Sequence, residues 1–106
     1  MSGRFMRVLL FFDLPTISSD DRKNYRQFRK FLQDEGFFML QESVYTKLVL
    51  NGTNATLIKN KISKNLPPSG IIHTLVITEK QFSQMEMMIG KKGQKIVDSL
   101  DRMIIL

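Results

Sequence analysis

The chain has no cysteine, no tryptophan and one histidine, and its 106 residues hold ten acids against sixteen lysines and arginines. Each scarcity removes a class of chemistry. Without cysteine there is no disulfide scaffold, no thiolate nucleophile and no cysteine-ligated zinc or iron–sulfur site, and His73 alone cannot build a clustered-histidine metal centre. Hydrolytic chemistry must therefore rest on carboxylates. The longest apolar runs, Val8 to Phe12 and Phe37 to Leu40, fall far short of the roughly 18 residues of a membrane span. Arg4 and Arg7 precede the first of these runs, but Asp13 and Pro15 interrupt it and no small-residue cleavage site follows. An intracellular, cytoplasmic protein without a membrane partner is expected.

What is present is the composition of one ordinary globular domain over residues 1–106, 42% hydrophobic with eight Phe and seven Met. A net charge of +6 favours polyanionic partners without choosing among them.

The run from Arg7 to Phe12 is apolar, rich in strand formers and stopped by Asp13-Leu14-Pro15, so it reads as a strand buried on both faces. Ser18 or Ser19 followed by Asp20-Asp21 starts a helix, since a hydroxyl accepts from the free amides and acids suit the positive end of the dipole. That helix should reach about Glu35, with Gly36 as its left-handed cap and with Tyr25, Phe28, Phe31 and Leu32 facing the core. Phe37 to Leu50 is strand-like but too long for one strand, so two strands bent near Gln41-Glu42-Ser43 are expected on length alone. Asn51-Gly52-Thr53-Asn54 caps a second helix with an apolar stripe at Leu57, Ile58, Ile62 and Leu66. Pro67-Pro68-Ser69-Gly70 ends it, and Ile71 to Thr78 forms another strand. The order is that of an α+β fold of the ferredoxin-like βαββαβ plan, an antiparallel sheet with both helices on one face. From Glu79 onward, a helical turn through Phe82, Met85 and Ile89 and short strands at Met87 to Ile89 and Met103 to Leu106 both stay open.

Four features bear on function. Asp13 follows the first strand directly and could serve either as a turn acceptor before Leu14-Pro15 or as a ligand for a hard divalent cation shared between two subunits. Arg22, Arg26 and Arg29 recur on the first helix, flanked by Lys23 and Lys30 and opposite the aromatic side, and this face is either simply solvated or built for phosphate. Lys47, Lys59, Lys61 and Lys64 read as solvated charges, and His73 as a hydrogen-bonded structural histidine. Ile89-Gly90-Lys91-Lys92-Gly93-Gln94-Lys95-Ile96 matches the Gly-x-x-Gly loop with which KH modules clamp single-stranded RNA, in surroundings that do not fit that module.

Together, Val8 to Asp13 with Leu14-Pro15, the basic helix, Gly36 and the pentad Gln41-Glu42-Ser43-Val44-Tyr45 resemble the small CRISPR-associated adaptation protein, the non-integrase partner in spacer acquisition, often named an endoribonuclease. The likeness runs from about Met6 to Gly90, and Thr78-Glu79-Lys80-Gln81-Phe82 with the basic tail is similar to the subgroup found beside the large single-effector nuclease. The resemblance implies a ferredoxin-like homodimer in which about residues 79–106 carry the C-terminal strand onto the other subunit's sheet, burying Met103-Ile104-Ile105-Leu106. It implies a scaffold that bridges integrase dimers across double-stranded prespacer DNA. Asp13 of each subunit would face its twin as the Mg2+ ligand for endonuclease or endoribonuclease cleavage. Duplex contacts are expected from Arg22, Arg26 and Arg29, assisted by Lys23, Lys30, Lys91 and Lys92. No second carboxylate is placed to complete a two-metal site.

Overall fold

A computed structural model describes residues 5–90 of the chain. Strand β1 (Met6–Asp13) is followed by helix α1 (Ser19–Asp34), strands β2 (Phe38–Gln41) and β3 (Val44–Val49), helix α2 (Gly52–Ser63), strand β4 (Ile71–Thr78) and a short helix α3 (Glu79–Ser83). The strands form one sheet in the order β2-β3-β1-β4 with every pairing antiparallel, which is the ferredoxin-like arrangement.

Local chemistry sets the boundaries. Ser18 caps α1 through a reciprocal box in which its hydroxyl accepts from the Asp21 amide at 3.0 Å and the Asp21 carboxylate accepts from the Ser18 amide at 3.1 Å. The helix ends at Gly36, whose φ of +91° is the left-handed conformation that suits glycine. The last turn of α1 has no basic residue of its own. Lys47 of β3 supplies that charge, its Nζ donating to the Glu35 carbonyl at 2.7 Å, so this lysine is a helix-end partner rather than a solvated one. The hairpin between β2 and β3 turns on Glu42-Ser43, with Ser43 at φ +65° and a register shift between Met39 and Gln41. A non-glycine residue carries the left-handed position, which is why no turn signature marks it in the sequence.

Val8, Leu10 and Phe12 of β1 point into the core with Tyr45 and Val49 of β3, Phe28 and Leu32 of α1, and Ala55, Ile58 and Ile62 of α2. Phe12 packs its ring within 5.6–5.8 Å of Tyr25, Phe28 and Tyr45, joining strand, helix and neighbouring strand in one aromatic cluster. The expected stripe on α2 is partly displaced, since Ala55 joins it while Leu57 and Leu66 stand 56% and 53% exposed. Of the two readings left open after Glu79, a short helix forms at α3, while Met87 to Ile89 form no strand and residues 85–90 follow α3 without regular structure. Met103 to Leu106 lie outside the described residues.

Two adjacent positions on α2 separate these roles. Ile58→Ala should cost about 2–5 kcal/mol through reduced burial and the cavity left behind, whereas Leu57→Ala should cost about 0.5 kcal/mol or less, as read from urea unfolding midpoints at constant slope.

Candidate functional site

Because side chains alternate along a strand, the inward set Val8, Leu10 and Phe12 leaves Arg7, Leu9, Phe11 and Asp13 on the face of the sheet that neither long helix covers, with only the short α3 over it at Arg7. Register extends this face across the neighbours, Leu9 lying between Thr46 and Leu75 and Phe11 between Val44 and His73. Phe11, Phe38, Leu48, Leu75 and Ile71 on it are 37% to 59% exposed. A contiguous apolar sheet face of this kind is the mark of a surface that another macromolecule covers. His73 also stands exposed here, its imidazole making no hydrogen bond among the described residues, so it is not the hydrogen-bonded strand histidine that its apolar neighbours suggest.

Asp13 closes β1 opposite Ile71, at the rim of the same face, and no described residue donates a hydrogen bond to its carboxylate. Its backbone is held by an approach that the sequence does not announce. Gly70, at φ +105°, packs so closely that a Cβ there would stand 2.8 Å from the Asp13 carbonyl oxygen and 2.5 Å from Cδ2 of Leu14. The carboxylate is exposed and accepts no hydrogen bond among the described residues, which suits a hard cation such as magnesium, commonly held by one or two carboxylates with water and phosphate oxygens. Among the described residues no three His, Cys, Asp or Glu side chains converge.

The cations stand elsewhere. At about 100° per residue, Arg22, Lys23, Arg26, Arg29 and Lys30 fall within roughly 120° of arc, opposite the buried Phe28 and Leu32. They therefore face away from the sheet, and the fold does not bring them onto the face that carries Asp13. Lys23, Arg26 and Arg29 are exposed, with no ion pair or hydrogen bond among the described residues. Lys30 is paired with Asp34 at 3.2 Å on the surface, an interaction that solvent weakens. Arg22 does double duty: its Nη1 donates to the Ile17 carbonyl at 2.6 Å and to that of Thr16 at 3.3 Å, bracing the loop between Asp13 and α1 while leaving other guanidinium donors free.

Lys91 and Lys92 lie outside the described residues, as does the loop after Gly90. The βαββαβ order that precedes the loop is not the plan of a single-strand RNA clamp, in which the loop joins two packed helices. Lys61 stays largely solvated, its side chain 62% exposed, while pairing at the surface with Glu35 at 3.1 Å. No helix among the described residues is long and apolar enough to cross a membrane.

A family model described as CRISPR associated protein Cas2 matches residues 6–85. Curated relatives named CRISPR-associated endoribonuclease Cas2 match nearly end to end. The one from Treponema denticola is 48% identical, covering 95% of this chain and 100% of its own length. That from Ligilactobacillus salivarius is 43% identical with the same coverage. That from Streptococcus mutans is 45% identical over 95% of this chain and 93% of its own.

Replacing Gly70 by Ala should displace the Asp13-Leu14 backbone, lowering the unfolding midpoint and shifting the Asp13 and Leu14 amide resonances by NMR. Gly52→Ala, where nothing lies within 4 Å of the new Cβ, should leave those resonances in place.

Proposed function

The chain belongs to the CRISPR associated protein Cas2 family, and on that premise we propose that it acts as a homodimeric adaptation scaffold. It holds double-stranded prespacer DNA and bridges integrase dimers in spacer acquisition. The observation that carries the DNA arm is the cationic face of α1, where three side chains, Lys23, Arg26 and Arg29, are exposed and make no ion pair with any described residue. From Arg22 to Arg29 the charges extend over roughly 10 Å of rigid helix. That is a surface suited to successive phosphates, and phosphate contacts fix position without reading sequence, as a protein handling DNA of arbitrary sequence requires.

The uncovered sheet face supports the dimer. Its phenylalanines and leucines would lose unfavourable exposure against the same face of a second copy, and a two-fold axis brings like residues together. The outer edge of β4 has no strand partner among the described residues, which supports its use as the acceptor for the partner's C-terminal segment. Residues 79–106 would then form the exchange and tail segment of a single domain.

The relatives' name adds a nuclease arm. In a dimer joined through this face the two Asp13 carboxylates, each at the rim of its sheet, would hold Mg2+. When bound, that ion would activate water and offset charge on the scissile phosphate. The chain's own contribution is placement: Gly70 fixes the backbone at Asp13 and Arg22 braces the loop that follows.

Substituting Lys23, Arg26 and Arg29 together by Gln should weaken duplex binding. It should also flatten the dependence of log affinity on log salt by roughly 0.9 for each phosphate that is no longer neutralised, as measured by fluorescence anisotropy across a salt series. Unchanged affinity and slope would contradict the DNA assignment. Asp13→Asn, which keeps shape and removes charge, should abolish Mg2+-dependent cleavage while leaving duplex binding intact; cleavage that survives would place the nuclease centre elsewhere.

A further inference from the structure

The segment Thr78-Glu79-Lys80-Gln81-Phe82 has no part in the proposed DNA face or at Asp13, yet it builds a bidentate ion pair under an aromatic ring. Arg7, the second residue of β1, is 8% exposed and lies on the open face of the sheet. Its Nε donates to Glu79 Oε1 at 2.9 Å and its Nη2 to Glu79 Oε2, a fork-to-fork pair across 72 positions of sequence. The Phe82 ring covers the guanidinium with its centroid 4.1 Å from Cζ. The backbone is pinned at the same point. The Glu79 amide donates to the Phe5 carbonyl at 3.0 Å, and Thr78 and Gln81 close a capping box around the first turn of α3.

A shielded ion pair is a poor way to add stability, because desolvating two charges offsets most of their attraction and a hydrophobic pair of equal volume does as well. What a bidentate pair under a stacked ring provides is direction. It allows one orientation of α3 on the sheet, and the residues after it leave from one point. Asp13 lies six residue steps along β1 from Arg7, about 20 Å of strand. The constellation therefore bounds the apolar face at the end opposite the rim aspartate.

We propose that Arg7, Glu79 and Phe82 form a positioning clamp that fixes the line along which residues 84–90 leave the open face, so that a second copy of the chain docks in a single register. The proposal rests on the homodimer reading and deepens it. The apolar face attracts the second copy without specifying how it sits, since burial is non-directional. The clamp supplies the missing direction. Met85 and Met88, 46% and 76% exposed just beyond α3, are side chains that a docked copy would meet first.

Because the chain has no cysteine, Glu86→Cys creates a unique site for a nitroxide label, and the distance between labels on two copies can be read by pulsed electron resonance. The otherwise unmodified dimer should give one narrow distance. Arg7→Gln or Glu79→Gln should broaden it and raise the dimer dissociation constant about tenfold, the scale on which an interface-organising residue acts. Should Arg7→Gln fail to fold, Phe82→Ala, which removes only the half-buried ring, carries the same expectation. A distance that stays narrow in Glu79→Gln and Phe82→Ala, with the circular dichroism of the fold retained, overturns the clamp and leaves the dimer standing. An unmodified protein that sediments as a monomer at micromolar concentration removes the dimer and the clamp together.

Discussion

A four-stranded sheet with its two long helices on one side has a second side to account for, and here that side is apolar. The constraint originates in β1. A central strand must satisfy neighbours above, below and on both edges, so its sequence is almost continuously hydrophobic: Val8, Leu10 and Phe12 feed the helix-side core while Leu9 and Phe11 enter the other face. Leu9 and its neighbour Thr46 are only 5% and 0% exposed at mid-sheet, whereas Phe11, Leu75 and Ile71 on the same face stand 37%, 50% and 59% exposed. The fold is complete as a topology and unfinished as a surface.

The two functional arms follow from this division of layers. The helix layer presents charge outward, with Arg26, Arg29 and Lys23 making no ion pair with any described residue, and it suits a long anionic partner approached from outside. The bare face presents apolar area bounded by Asp13 at one end and by the Arg7–Glu79 pair at the other. A two-fold partner on that face would double the carboxylates at the rim and extend the cationic helices into a longer track. On the proposed reading one association would serve both Asp13 and the cationic helix face, although the fold keeps these on opposite layers of each chain.

Much of this was legible in the residues. The apolar run of β1, the serine and acid start of α1, its stop at Gly36 and the cationic arc all rest on short-range chemistry that a linear reading captures. The parts that escaped depend on approach across the fold. Lys47 looks like a solvated strand charge until the carbonyl end of α1 arrives above it. Gly70 looks like a helix breaker, and only the chain crossing beside Asp13 shows that no Cβ fits there. Arg22 belongs to the cationic arc by spacing and to the loop brace by reach. Glu79 and Arg7 are ordinary charges until β4 pairs with β1 in register and brings them together. The β2–β3 turn was inferred from length alone because Ser43 carries a conformation usually marked by glycine or asparagine.

If the uncovered face of the sheet is closed by a second copy of the same face, its state of association should depend on that face and on nothing in the helix layer. Sedimentation equilibrium across nanomolar to micromolar concentrations tests this directly. The unmodified chain should reach twice its monomer mass, Leu75→Lys should hold it at the monomer mass with the fold intact, and Arg26→Gln on the outer helix face should have no effect. A monomer throughout, or a dimer indifferent to Leu75→Lys, would contradict it.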